Sequence, residues 1–181
     1  EQTGSFAGHN GGRVAFTIFR RLAARQPLHG VVLLSDAGGV DEEPTRGFAR
    51  RIVEETGMTV MLPDVFRGEP WSDARPRSEY ESWRATHPAQ RVDGDTAAAI
   101  AYLSKRCSTV SVVGLCFGGG VGWRRNGGEA SRKSNGQRRV RGSASLCERA
   151  PAINHIHTLV CRLLSKHDFS LWLVLTQAGL L

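Results

Sequence analysis

The sequence has no long hydrophobic run. Its apolar segments, such as residues 169–175, are far shorter than the roughly 18 residues that a membrane-spanning helix requires. It opens on Glu1, with no charged and then apolar leader. We therefore expect a soluble protein with no membrane partner. Because the first residue is not methionine, the chain is also expected to be a fragment.

Cysteine is sparse and its spacing carries no metal or disulfide motif. None of the four residues forms a Cys-x-x-Cys pair, and a chain of 181 residues does not need disulfides to stabilise its core. Reduced thiols in the cytoplasm are expected instead. His155 and His157 lack a third ligand at suitable spacing, so no metal is predicted. The four cysteines are Cys107, Cys116, Cys147 and Cys161.

Phosphate-binding motifs are also missing from the glycine-rich segment 114–119. A dinucleotide-binding fingerprint needs glycine where Cys116 stands. A P-loop needs lysine and then serine or threonine where Gly120 and Val121 stand. No cofactor is therefore expected.

The net charge of +7 is concentrated in one segment. Residues 1–122 hold 14 basic and 14 acidic side chains, whereas residues 123–150 hold 8 basic and 2 acidic ones. The basic segment has no hydrophobic period, which is typical of disorder. The predicted organisation is an α/β domain over residues 1–123, a disordered basic segment over 124–150 and an apolar tail over 151–181.

The first 121 residues alternate strand-like and helix-like stretches, as in a mostly parallel sheet flanked by helices. The continuous apolar run 31–34 is typical of a strand buried on both faces. In the tail, helical spacing begins at Ile153 and residues 169–175 are strand-like. The other predicted strands are 14–19, 58–62 and 110–113; the predicted helices are 44–57 and 90–105, and a long loop runs from Pro63 to Tyr80.

The most informative motif is Gly114-Leu115-Cys116-Phe117-Gly118, entered directly from the strand-like run 110–113. Gly-x-Cys-x-Gly after a strand is the cysteine form of the nucleophile elbow, a strained strand-to-helix turn that exposes the middle side chain. The pattern predicts Cys116 as a covalent nucleophile. The alternative is a buried structural cysteine.

Together with two upstream segments, this elbow resembles the dienelactone hydrolase family, a branch of the α/β-hydrolases also known as carboxymethylenebutenolidases. The resemblance covers residues 30–122 and implies an α/β-hydrolase-like sheet that is incomplete at its C-terminal end. It also implies cysteine-dependent hydrolysis of lactones or carboxylic esters. The upstream segments are Leu33-Leu34-Ser35-Asp36-Ala37-Gly38-Gly39-Val40 and Leu62-Pro63-Asp64-Val65-Phe66-Arg67-Gly68.

The resemblance also implies a set of site residues. The backbone N–H groups of Ala37 and Phe117 would form the oxyanion hole around Cys116. Asp36 stands where the family has an acidic residue, usually glutamate, that interacts with the nucleophile. The expected substrate is a small lactone or ester that carries a carboxylate, for which Arg77 is preferred over Arg75. The residues expected to bind substrate are Arg77, Tyr80 and Trp83.

The resemblance ends after Gly122, which indicates a chain truncated after the elbow. The family places an aspartate and then a histidine after the nucleophile. Asp168 is the last aspartate here, and no histidine follows it. A frameshift, retained intron or alternative exon would explain the change, and activity is in question. His155, His157 and His167 are the histidines that follow Cys116.

A second function class remains open. A catalytically inactive fragment would act as an interaction or nucleic-acid-binding module through its arginine-rich segment 124–141. That segment has no aromatic side chain to stack on bases. Binding of nucleic acid is therefore not expected.

Overall fold

The computed structural model describes residues 1–21, 29–125 and 176–178. The strands are β1 (Gln2–Ala7), β2 (Arg13–Phe19), β3 (His29–Leu34), β4 (Thr59–Pro63), β5 (Thr109–Gly114) and β6 (Thr176–Ala178). The helices are α1 (Glu43–Thr56), α2 (Tyr80–Ala85), α3 (Ala89–Ser104) and α4 (Phe117–Arg125), with short 3-10 turns at His9–Gly11 and Arg77–Glu79.

These elements confirm the strands and helices predicted within residues 14–113 and add two that were missed. β1 is rich in polar residues and glycine, and its pairing with β2 makes it a strand. α2 is only six residues long and begins where the predicted loop ends, in a stretch to which the sequence analysis assigns no element. Most of segments 124–150 and 151–181 lies outside the described residues, including the predicted tail helix and the strand at 169–175.

All six strands form one sheet in the order β1-β2-β4-β3-β5-β6. β4, β3 and β5 are parallel, whereas β1 and β2 pair antiparallel on one side and β6 pairs antiparallel with β5 on the other. The predicted α/β sheet is confirmed, and it is mixed, with parallel pairing confined to its centre. The carboxyl ends of these three strands therefore meet at one edge.

β3 is buried on both faces, as its continuous apolar run predicts. Val32 and Leu34 pack on one side with residues of α3 and α4, such as Leu103. Val31 and Leu33 pack on the other side against α1. Because successive side chains of a strand point to opposite faces, both faces of β3 have to be apolar.

A sheet that is incomplete at its C-terminal end is expected to leave the outer edge of β5 unpaired and its side chains partly uncovered. The structure pairs this edge. The backbone of β6 pairs with Val110, Ser111 and Val112 in antiparallel register. Val110, Val112 and Val113 are at most 1% exposed. The expectation of a partly uncovered β5 was therefore wrong, because a segment distant in sequence supplies the neighbouring strand.

α1 begins and ends where its residues require. Pro44 occupies the first turn, where its missing N–H costs no helical hydrogen bond. Gly57 follows the helix in a left-handed conformation, and its N–H donates to the Val53 carbonyl at 2.9 Å. None of the helices in the described residues is long and apolar enough to cross a membrane.

Candidate active site

Cys116 lies in the turn between β5 and α4, at the edge where the parallel strands end. Its backbone φ is +46°, in the left-handed region that non-glycine residues seldom adopt, and the residue is exposed. This conformation agrees with the predicted elbow, in which strain lifts the side chain above the sheet.

The two flanking glycines are in close backbone contact, as the motif predicts. A Cβ atom at Gly114 would lie 2.3 Å from the carbonyl carbon of Gly118. A Cβ atom at Gly118 would lie 2.5 Å from the Cβ atom of Leu34. Only hydrogen fits at either position, so the tight turn depends on both glycines.

Backbone hydrogen bonds place the elbow beside the turn that follows β3. The N–H of Leu115 donates to the Leu34 carbonyl at 2.9 Å, and that of Gly118 donates to the Ser35 carbonyl at 3.2 Å. In the part of the chain that the structure describes, the N–H groups of Ala37 and Phe117 donate no hydrogen bond. Both donors are therefore available on segments that meet at Cys116.

The Asp36 carboxylate is engaged in its own turn. Its Oδ1 atom accepts a hydrogen bond from the Gly38 N–H at 3.1 Å. Burial raises the pKa of Asp36. The hydrogen bond from Gly38 acts against this rise, and the negative charge of Asp73 adds to it. The family's interaction between this acid and the nucleophile stays a prediction for this chain.

Aromatic rings form a continuous wall next to the elbow. The ring of Trp71 meets that of Tyr80 edge-on at 5.2 Å between centroids, and Tyr80 lies 5.4 Å from Trp83. Phe66 lies 5.3 Å from Trp83 and 5.0 Å from Phe117, the residue after Cys116. We call these five side chains the aromatic wall. Such contacts add rigidity beyond the area that they bury.

Two members of the wall, Tyr80 and Trp83, are predicted to contact substrate, and Trp83 is the more buried of the two. It is 5% exposed, and its indole N–H donates to the Glu69 carbonyl at 2.9 Å. Its contact with substrate stays a prediction. In the described structure Trp83 packs between Tyr80 and Phe117 and thereby supports both.

Tyr80 and two arginines lie at the open end of the wall. Burial raises the pKa of Tyr80. Arg75 lies 5.7 Å from the centroid of the Trp71 ring and 3.7 Å from a Glu79 carboxylate oxygen. Arg77 is exposed, and its guanidinium forms no ion pair or hydrogen bond with the described residues.

Sequence reasoning missed His87, which closes the inner end of the wall. It is 4% exposed, and its ring lies 4.8 Å from that of Trp83. Its Nε2 atom lies 3.0 Å from the Glu69 carbonyl and its Nδ1 atom 2.7 Å from the Thr86 hydroxyl. Burial lowers its pKa, so the neutral imidazole with Nε2–H donating fits the site. A single histidine between two helices gives no sequence signal that it will be buried against aromatic rings.

We expect His87→Gln to reduce the loss of stability in acid. Because the pKa of His87 is lowered in the folded state, the unfolded chain takes up a proton first as pH falls below the ordinary value of 6.5. The free energy of unfolding therefore decreases as the pH decreases through that range. Glutamine does not titrate and can still donate to Glu69. Urea midpoints measured at about pH 8 and about pH 5 should differ less in the variant. Equal differences would contradict this account.

A second group missed by the sequence analysis is the buried carboxylate of Asp95 in α3, which is 0% exposed. It accepts hydrogen bonds from the guanidinium of Arg67 at 2.7 and 3.0 Å and from the His9 N–H at 2.7 Å. Arg91 adds a longer contact at 3.4 Å. This network fixes the loop that carries Phe66 to the aromatic wall.

The described residues contain no group of three or more histidine, cysteine or acidic side chains that would hold a metal. His155, His157 and His167 lie outside them, as do Cys147, Cys161 and nearly all of the arginine-rich segment. Cys107 is a buried free thiol whose pKa is raised by burial. Of the two described cysteines, Cys116 is therefore the accessible one.

Several solved structures have a similar fold. Brefeldin A esterase, a bacterial homologue of human hormone-sensitive lipase, matches with a TM-score of 0.51 at 22% identity, over 70% of this chain and 36% of its own. A dienelactone hydrolase-like promiscuous phosphotriesterase from metagenomic libraries matches with a TM-score of 0.51 at 21% identity, over 66% of this chain and 51% of its own. The fold and the elbow define an α/β-hydrolase-type protein.

Sequence comparison assigns the chain to one family within the α/β-hydrolases. The profile of the dienelactone hydrolase family matches residues 17–132, and the chain belongs to this family. The carboxymethylenebutenolidase homologue of Homo sapiens is 33% identical over 92 residues, which are 49% of this chain and 37% of that protein. The Mus musculus homologue is 33% identical over 94 residues, or 50% of this chain and 38% of its own. The chain thus spans less than two fifths of the length of these relatives.

Proposed function

We propose that the chain reacts with carboxylic esters or lactones through Cys116, as a cysteine-nucleophile hydrolase of its family. The observation that carries this proposal is the exposed thiol at the strand-to-helix turn, with its left-handed backbone between two closely packed glycines. A structural cysteine needs neither exposure nor a strained backbone.

In the proposed reaction, the Cys116 thiolate attacks the carbonyl carbon and the carbonyl oxygen takes up the negative charge. The N–H groups of Ala37 and Phe117 donate to that oxygen. Collapse of the intermediate expels the alkoxide, which leaves as an alcohol after protonation, and the acyl group remains on sulfur as a thioester. Water then releases the carboxylic acid and regenerates the thiol.

Release is the proposed slow step in this chain. Hydrolysis of the thioester needs a base that activates water, a role the family gives to a histidine preceded in the chain by an aspartate. In this sequence no histidine follows Asp168, the last aspartate after the nucleophile. For a protein of these 181 residues we therefore propose fast acylation and slow turnover.

Arg77 is the proposed contact for a carboxylate on the substrate. Arg75 is engaged by the Trp71 ring and Glu79, whereas Arg77 has no such partner in the described residues. Both precede Tyr80, a member of the aromatic wall, in the chain. A guanidinium without another partner next to the wall can pair with a carboxylate of the substrate.

The test compares acylation by p-nitrophenyl acetate with acylation by the mono-p-nitrophenyl ester of succinic acid, whose acyl group carries a carboxylate. The wild-type protein should take up one acyl group at Cys116, located by peptide mass spectrometry. Arg77→Gln should slow acylation by the charged ester about tenfold relative to the neutral one, since a charge-assisted hydrogen bond contributes about 1.5–3 kcal/mol. Arg75→Gln is the matched control and should change this ratio less than about threefold. Acylation at Cys107, or none, would contradict the function; equal effects of both variants would contradict the role of Arg77.

We also propose that the protein is located in the cytoplasm. Cys107 and Cys116 are both free thiols. An exposed nucleophilic thiol persists in its reduced form where glutathione and thioredoxin keep the compartment reducing.

A further inference from the structure

Trp71 connects the loop after β4 to the turn that carries one of the two proposed oxyanion donors. Its backbone N–H donates to the Ala37 carbonyl at 2.8 Å. The preceding residue, Pro70, packs so closely on Gly39 that a Cβ atom there would lie 2.7 Å from the proline ring. The turn 36–39 is therefore held from one side by residues 70 and 71.

The Trp71 side chain fixes the position of this backbone contact. Its ring lies 5.2 Å from that of Tyr80 and 5.6 Å from that of Trp83, and the Arg75 guanidinium lies 5.7 Å from its centroid. Trp83 in turn contacts Phe117, which carries the second oxyanion donor. The aromatic wall thus joins the segments that supply both donors, and Trp71 is its contact with the turn after β3.

We propose that Trp71 is a positioning residue, which holds the Ala37 N–H at the distance from the Cys116 sulfur that an oxyanion requires. The inference rests on the proposed acylation of Cys116. Loss of the ring would release the loop from the wall and loosen the hydrogen bond to Ala37. A displacement of about 1 Å in a catalytic group can cost about 10²-fold in rate, so a partial loosening has a measurable effect.

Two reactions of the same sulfur separate positioning from general stability. Acylation by p-nitrophenyl acetate develops an oxyanion and depends on the N–H donors. Alkylation by iodoacetamide displaces iodide at a saturated carbon and develops no oxyanion, so it reports only the access and thiolate content of Cys116. The ratio of the two rate constants therefore isolates the oxyanion hole.

We expect Trp71→Leu to lower this ratio about tenfold or more and Trp71→Phe, which keeps a ring, to lower it about threefold. The matched control is Tyr102→Leu, because Tyr102 is also partly buried, lies under the guanidinium of Arg106 and contacts two rings. The two rings that Tyr102 contacts are Phe6 in β1 and Phe16 in β2. The control should leave the ratio within about twofold of wild type.

Equal slowing of both reactions in Trp71→Leu, an unchanged ratio, or the same drop in Tyr102→Leu would overturn the proposal. A loss seen with a butyryl ester and not with the acetyl ester would also overturn it, since that result indicates contact with the acyl chain. If circular dichroism shows that Trp71→Leu is unfolded, the test uses Trp71→Phe instead. A ratio of acylation to alkylation rate constants in Trp71→Phe that equals the wild-type ratio would then overturn the inference. Wild-type protein that is alkylated at Cys116 but never acylated would instead remove the proposed function.

Discussion

Replacement of Cys116 by alanine is expected to abolish the burst of p-nitrophenolate that wild-type protein should release from p-nitrophenyl acetate. The burst measures formation of the thioester, and alanine has no nucleophile to form it. We expect the fast phase to fall at least about 100-fold, to the rate of the remaining thiols. Stopped-flow absorbance with a known protein concentration gives both the rate and the number of acyl groups per chain.

Cys107→Ala is the matched control for this experiment. Cys107 is buried and its pKa is raised, so it should contribute nothing to the burst. A burst that survives Cys116→Ala and disappears in Cys107→Ala would overturn the assignment of the nucleophile.

The same assay reports whether the tail supplies a base. Alanine variants of His155, His157 and His167 should leave the burst unchanged, because a thiolate next to a helix N-terminus attacks without a further base. Steady turnover after the burst should be slow in wild-type protein. Sustained turnover that one of these variants eliminates would identify that histidine as the base and show that release is not limited as proposed.

Gly114→Ala is expected to have the largest effect on stability. The added methyl group would lie 2.3 Å from the Gly118 carbonyl carbon, and because both partners are backbone, no side-chain rotation relieves the overlap. Overpacking of this kind costs about 1–3 kcal/mol and occasionally more, so we expect about 3 kcal/mol. α4 has to move away from β5, which also disturbs the Phe117 N–H.

Gly47→Ala is the matched control, since Gly47 also lies in a secondary-structure element. Its added methyl group would lie 3.7 Å from a Glu43 carboxylate oxygen, an ordinary contact. Alanine should stabilise the middle of α1 by up to about 1 kcal/mol. Urea denaturation followed by circular dichroism measures both changes. Equal stability of Gly114→Ala and wild type would contradict the close packing of the elbow.

The elbow and the central strands could be predicted because the signals that define them are local. A continuous apolar run such as 31–34 is typical of a strand with two buried faces, and the structure buries both. Likewise, a strand that stops at Gly-x-Cys-x-Gly has few ways to turn into a helix, and Cys116 adopts the strained one. The family, the sheet and the candidate nucleophile followed from residues adjacent in sequence.

The other features of the sheet and of the candidate site depend on tertiary contacts. β1 and β6 become strands by pairing with β2 and β5, and hydrogen bonds between segments leave little trace in the sequence of either one. The role of Trp71 depends on Ala37, Tyr80 and Arg75, which different loops bring together. The enclosure of His87 and Asp95 likewise arises only when distant segments close over them. Sequence periodicity reports which face of an element is apolar, whereas the identity of its neighbour is fixed when the sheet and its covering helices pack.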